Sequence, residues 1–304
     1  MFPYKTYNNY LKKRFGKSVL KIPLNGGFTC PNIDGTKSNG GCIYCDNVAF
    51  SPVAASTEPV MVQLENGIVR SKRFDLFIGY FQAFSNTYAP VEKLKELYEP
   101  VITHPRVIGI AIGTRPDCFS EKIFDYLSDI HQRTYLSVEI GLQTIHNSTL
   151  KKINRHHTFE ESVSVIEELS KRGIESVAHI MLGLPGESRE MMLDTVEAVA
   201  NLPVQGVKIH QLMVIKGTLL EKKLYSTGKL NVLSLSEYAT LVGEFLSRLR
   251  PDQIIHRIMA DSRIESGLVA PLWSADKRNS LQFIQNYLKE NKIYQGMKYQ
   301  NYLY

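Results

Sequence analysis

The 304-residue chain has no run of eighteen apolar residues, so the sequence holds no segment suited to a membrane-spanning helix. The opening stretch "MFPYKTYNNYLKKRFGKSVLK" lacks an apolar h-region and does not read as a secretory signal. Cysteine is scarce: four in all, too few to staple a chain of this length with disulfides. Three of the four crowd into residues 30–45, which points to a metal or redox site in a reducing compartment, the cytoplasm. No low-complexity linker appears, and no domain break is evident before about residue 215. What remains is ordinary for a globular protein, 43% hydrophobic and 22% charged, with length enough for one large α/β barrel or two common domains.

Acid is missing from residues 1–22, which carry Lys5, Lys12, Lys13, Arg14, Lys17 and Lys21 with Tyr4, Tyr7, Tyr10 and Phe15 interleaved. The whole chain has net charge +6 and pI ≈ 9.0. Such a basic, aromatic segment could lie along phosphates and stack on bases. The plainer reading is a solvated leader whose aromatics pack on the domain behind it.

Short β-branched runs at 18–24, 75–81, 107–113, 135–141, 176–183, 206–214 and 253–258 read as buried strands. Between them run helical patterns. Thr57 is the expected N-cap of the first, with Pro59 in its opening turn and Val60, Leu64 and Ile68 at helical spacing. Residues 89–102, 120–130, 158–173 and 187–202 supply the others. Repeated strand–helix alternation predicts an α/β fold: a partial (β/α)6 TIM-like barrel of parallel strands over 18–215. The tail, 216–304, is expected to add helices and one strand to the same body.

Ligands gather where parallel strands end. Here those ends hold the cysteine loop, then Gln82, then Thr114, Arg115 and Cys118, then Glu139 and Gln143. Arg155 with its two histidine neighbours, His179 before a Gly183-Leu-Pro-Gly turn, and Lys208, His210 and Gln211 complete the rim. Each has a plainer explanation: a core histidine, a turn-capping arginine, a helix-opening loop with Glu187 favoured by the dipole. Their shared rim favours an enzyme site.

Cys42 and Cys45 form a C-x-x-C, with Cys30 upstream. Structural zinc wants four ligands, and the second knuckle is missing. Cys118 could supply a fourth ligand, act as a radical relay, or be a small buried hydrophobe. An iron–sulfur cluster held by only three thiolates leaves one iron open to a substrate or cofactor.

The pattern C-x-Φ-C with Tyr44 as Φ, after the first strand of a βα barrel, resembles the radical S-adenosylmethionine (SAM) enzymes. Eleven residues separate Cys30 from Cys42, wider than that family's usual C-x3-C-x2-C. "GGFTCPNIDG", "GGCIYCDN", "GTRPDC", "VEIGLQT", "INRHHT" and "HIMLGLPGE" are similar to the branch holding the elongator catalytic subunit and small YhcC-like or YtqA-like proteins. The resemblance implies that Cys30, Cys42 and Cys45 ligate a 4Fe-4S cluster whose open iron chelates SAM. One electron would then yield methionine and a 5′-deoxyadenosyl radical. It further implies adenine contacts from Tyr44 and the Gly183 loop, a ribose contact from Gln143 and a methionine-carboxylate contact from Arg155. Gln82 stands where relatives carry a Gly-Gly-Glu turn, which this chain lacks. Thr114, Glu139 and His179 join the cofactor side, while Lys208, His210 and Gln211 face the substrate. An electron donor such as flavodoxin or ferredoxin is implied too.

The elongator branch suggests tRNA, with the C5 side chain of the wobble uridine as target. The chain is expected to be too short for that protein's acetyltransferase domain, so a different step is expected: carboxymethylaminomethyl towards aminomethyl. A radical SAM enzyme on a small molecule or protein stands as one alternative, and a zinc-stabilised RNA-binding module without catalysis as another.

Overall fold

Strands that are apolar on both faces need cover on both faces, and this chain provides it by following strands with helices. The computed structural model describes residues 3–51 and 53–300. The order is α1 (Tyr7–Phe15), β1 (Val19–Leu24), α2 (Asn47–Phe50), α3 (Val60–Arg70), β2 (Leu76–Phe81), α4 (Val91–Ile102), β3 (Val107–Thr114), α5 (Glu121–Arg133) and β4 (Tyr135–Gln143). Then come α6 (Asn147–Lys152), α7 (Phe159–Lys171), β5 (Glu175–Leu182), α8 (Arg189–Asn201), β6 (Gly206–Gln211) and β7 (Val214–Ile215). The last elements are α9 (Leu235–Arg248), β8 (Ile254–Arg257), β9 (Leu268–Ala270) and α10 (Lys277–Glu290).

β1 to β6 lie side by side in one parallel sheet, and β8 joins at β6 as its seventh strand. The sheet curls into a half-barrel with helices around it, the TIM-like partial barrel that the alternation predicts. β7 and β9 form a small antiparallel pair. The tail therefore contributes two strands rather than one.

Local chemistry explains most helix starts. Thr158 with Glu161 and Ser234 with Glu237 make reciprocal capping boxes at α7 and α9. α3 differs from expectation. Pro59 itself occupies the cap position with an extended ψ of 144°, which stops the helix short of Thr57 and leaves no side-chain cap. Val60, Leu64 and Ile68 are buried against the sheet, as their spacing requires.

The basic N-terminal segment is a plug. Thr6 bridges to Ile255 in β8. Tyr7 is buried, stacks on His256 at 3.9 Å between ring centroids and reaches Tyr135. Tyr10 and Arg14 both bind Glu175 at the start of β5. Lys21 points into the barrel. Of the two readings of this segment, packing of its aromatics on the domain is the one seen for Tyr7 and Tyr10, while Lys12, Lys13 and Lys17 stay exposed. Among the described residues, no helix is long and apolar enough to cross a membrane.

Candidate functional site

The interior is organised around Glu139, whose carboxylate is fully buried in β4. It accepts from Tyr80 at 2.6 Å, Lys208 at 2.7 Å and His179 at 2.8 Å, and pairs closely with Lys21. Burial pushes its pKa up, but Lys208, Lys21 and the histidine bonds outweigh burial and hold it well below the usual carboxylate range. Burial also drives Lys208 down to about 7, opposed by Glu139 and reinforced by Arg257 and Lys21. His179 falls to about 3 and His256 to about 4, chiefly through burial, so both rings are neutral.

Above this floor opens a cavity lined by the cysteine loop and the ends of β2 to β6 and β8. The loop is locked to the segment after α6. Asn32 donates to the carbonyls of Asn154 and Arg155 at 2.7 and 3.1 Å, Ile43 N–H to Ile153, and Asn154 Nδ2 to Gly41 O at 2.7 Å. Arg155 then spreads its guanidinium over Gly141 O (2.9 Å), His157 (3.0 Å) and Cys42 Sγ (3.6 Å). A Cβ at position 141 would meet that guanidinium, so glycine here leaves Arg155 the room it occupies. Arg115, forked onto Asp117 at 2.8 and 2.7 Å, donates to Arg155 O at 2.7 Å.

Cys30, Cys42 and Cys45 are free and line the same cavity. Yet among the described residues no three metal-ligating side chains converge on a single-ion site. One zinc, with bonds of about 2.3 Å, would draw its sulfurs to within roughly 4 Å of each other. The donor set itself, three thiols on one cavity, is one ligand short of structural zinc and suits a cluster that leaves one iron open. Burial, then Cys42, pushes the Cys45 thiol up to about 12, so the bare loop holds protons that a metal would displace. Cys118 lies outside this cavity. It is buried with Sγ 3.9 Å from Asp117 Oδ1, and burial followed by Asp117 raises its thiol to about 12.

The other rim residues divide. Tyr44 packs with Leu150, Ile153, Leu184 and Leu212, its hydroxyl buried without a partner. Gln82 Nε2 donates to Ser51 Oγ at 2.9 Å, and Thr114 shares a 2.6 Å hydroxyl bond with Thr87. Gln143 faces the cavity from a left-handed conformation, φ 72°, at a register break in β4. His179 and His210 reach the cavity with ring centroids 5.3 Å apart. Gly183 is outside the lining: its N–H goes to Met192 Sδ at 3.2 Å. Lys208 sits beneath the lining, tied to Glu139 and Tyr80. Gln211 touches the cavity, but its amide is committed to Ala260 and Ser274.

The sequence reading missed Tyr80, Lys21, His256 and Arg257. Their signal was a polar residue inside an otherwise apolar strand, which in a curled sheet points inward. Arg257 lines the cavity with Nη2 2.9 Å from His210 Nε2.

Comparison with known proteins identifies the family. The Radical SAM superfamily matches residues 33–199, and the Radical SAM C-terminal domain matches 204–290. The chain is 43% identical over 98% of its length to the uncharacterized protein YtqA of Bacillus subtilis (strain 168), covering 93% of that protein. It is 35% identical over 37% of its length to a tRNA uridine(34) acetyltransferase of Methanocaldococcus infernus, of which it spans 21%. The fold is shared with the archaeal Methanocaldococcus infernus Elp3, solved with an N-terminal deletion (TM-score 0.69, 19% identity, 91% of this chain and 64% of that one). This chain belongs to the radical SAM superfamily, in the group that contains YtqA and is related to Elp3, and is an enzyme of that class.

Proposed function

We propose that this enzyme uses a 4Fe-4S cluster held by Cys30, Cys42 and Cys45, with SAM on the open iron, to modify the C5 side chain of a tRNA wobble uridine. The supporting observation is the cysteine loop: three free thiols around one cavity, one short of a structural zinc set, in a family that implies both cofactors. When bound, the cluster and SAM supply a 5′-deoxyadenosyl radical that removes a hydrogen atom from the substrate.

The chain's own groups bind, orient and shield. Arg155 and Asn32 each approach Cys42 Sγ at 3.6 Å, where their N–H groups favour negative charge on sulfur. Arg155 also offers its charge to the methionine carboxylate, Gln143 its amide to the ribose, Tyr44 its backbone to the adenine and Gln82 its amide to the methionine amino group. Thr114 fixes the β3 loop beside them through Thr87. Glu139 orients His179 towards the cavity, and Gly183 keeps no cofactor contact in this scheme. His210 faces the substrate. Lys208 acts from below through Glu139, and Gln211 holds the 260 segment in place. The electron comes from a reduced donor of the flavodoxin or ferredoxin kind.

A tRNA substrate is supported by the net charge of +6 and by the relationship to a tRNA uridine(34) enzyme. The step proposed is carboxymethylaminomethyl to aminomethyl, a two-electron oxidation with SAM as oxidant. A hydrogen atom is taken from the methylene between nitrogen and carboxylate, the carbon radical gives up one further electron, and water cleaves the resulting imine so that the two-carbon unit leaves as glyoxylate. Protein purified without oxygen should be brown, carry about four irons per chain, and form 5′-deoxyadenosine with dithionite and SAM. Wobble nucleosides of tRNA from a strain lacking the protein should accumulate the carboxymethylaminomethyl form by mass spectrometry. An unchanged nucleoside profile would sink the RNA substrate; a colourless, zinc-loaded protein after cluster reconstitution would sink the chemistry.

A further inference from the structure

Arg257 ends β8 with its guanidinium on the cavity wall. Nη2 leans on the His210 ring, 2.9 Å from Nε2 and 3.3 Å from Nδ1, and Nε is buried with no hydrogen-bond partner. No carboxylate among the described residues pairs with it. The neighbouring acids are already committed. Glu139 is surrounded by Lys208 and Lys21, and Asp261 at the rim pairs with Lys277 at 2.9 Å. His210 offers no charge to balance it. An arginine inside a barrel with a free donor and no counter-ion is incomplete until an anion arrives, and its planar fork suits a carboxylate.

We infer that Arg257, braced by His210, receives a carboxylate carried by the substrate. This rests on the reading above, in which the substrate side chain ends in a carboxymethyl group and the product does not. Arg257 is then the residue that distinguishes substrate from product. The substrate brings the missing counter-ion. The product, an amine without carboxylate, would leave the cation unpaired and meet it as a like charge, so it is released. The other source of a carboxylate in this cavity is the methionine end of SAM.

The test compares binding of two nucleosides, 5-carboxymethylaminomethyluridine and 5-aminomethyluridine, to the protein by ligand-detected NMR. The same pair is then tested within an anticodon stem-loop. Wild type should prefer the carboxylate-bearing form by tenfold or more. R257Q should erase that preference, and R257K should restore part of it without the fork. Unchanged thermal melting of both variants excludes misfolding; if R257Q melts, R257K alone decides by losing part of the preference. Absence of any preference in wild type overturns the inference. So does a parallel loss of SAM affinity in R257Q on cluster-reconstituted protein, which would give Arg257 to the cofactor carboxylate. Preference kept for the nucleosides while neither stem-loop binds would overturn the RNA reading and leave the role of Arg257 standing.

Discussion

Glu139 and Arg257 are two charges inside the same half-barrel, and the protein treats them oppositely. Glu139 is over-supplied: two lysines, a tyrosine and a histidine all aim at one carboxylate. Arg257 is under-supplied, leaning on a neutral ring with a donor left over. The first arrangement is a finished network and belongs to the fold; the second is open and belongs to a ligand. The same contrast separates the floor from the mouth. Around the mouth, Tyr44 Oη and Arg115 Nη1 are also buried without partners. Unpaired buried polar atoms cost stability, so Tyr44, Arg115 and Arg257, which share one cavity, are places where a bound group could recover that cost.

The largest effect expected is at the mouth. Replacing Cys30, Cys42 or Cys45 by Ser should abolish iron retention, visible absorbance and deoxyadenosine formation, while circular dichroism of the bare protein stays unchanged. Cys118→Ser should keep all of these, because Cys118 lies off the cavity. Retention of the cluster by Cys42→Ser would show that the three thiols are not its anchors.

The floor should fail in the other way. Glu139→Gln leaves Lys21 and Lys208 as buried cations without a carboxylate, a loss of about 3–5 kcal/mol in urea unfolding. Pairing it with Lys208→Met should recover part of that loss. Arg257→Gln, by contrast, removes a cation that has no carboxylate partner among the described residues, so stability should stay level or rise by about 1 kcal/mol. Equal destabilisation by Glu139→Gln and Arg257→Gln would erase the distinction between the two charges.

How much of this could be read from the sequence follows from the same geometry. The strands were legible because β-branched runs carry their own signal, and the cysteine loop because three thiols at one end have few chemical uses. The floor was not. In "VLKIPL" one Lys among five apolar residues looks like a solvated edge, until curling of the sheet turns it towards Glu139. The plug was only half legible for a related reason. Composition shows that residues 1–22 are basic and aromatic, but only the fold reveals that Tyr7 and Tyr10 are spent on His256 and Glu175. Gln143 carried a motif, yet no local pattern announces a left-handed glutamine.

Acid should separate the floor from the mouth by titration. His179 and His256 are neutral in the fold, with pKa values pushed down to about 3 and about 4 by burial. The unfolded chain binds protons on both below about pH 6.5, while the folded chain does not. Their contribution is therefore full above that pH and is lost as pH falls towards 4 and then 3. Glu139, depressed in the fold, adds a further loss once the unfolded carboxylate protonates below about pH 4.3. His256→Phe keeps the stack on Tyr7 and removes one titrating group, so its plot of stability against pH should be shallower between about 6.5 and 4. A slope equal to wild type would place the acid sensitivity elsewhere.

The smallest effect is the most specific. Gln143 holds φ 72° at the break between β4 and β5, a conformation that a non-glycine residue adopts at a cost of order 1–3 kcal/mol. Nothing in the floor needs that strain; what it achieves is to turn an amide into the cavity. Gln143→Gly relieves it, at some loss of backbone entropy, so the bare protein should unfold at the same or slightly higher urea concentration. SAM affinity of the reconstituted protein should drop about tenfold, the equivalent of one hydrogen bond of about 1.4 kcal/mol. A variant that loses stability and keeps SAM affinity would mean the amide supports the fold, and Gln143 would move from the open set of groups to the closed one.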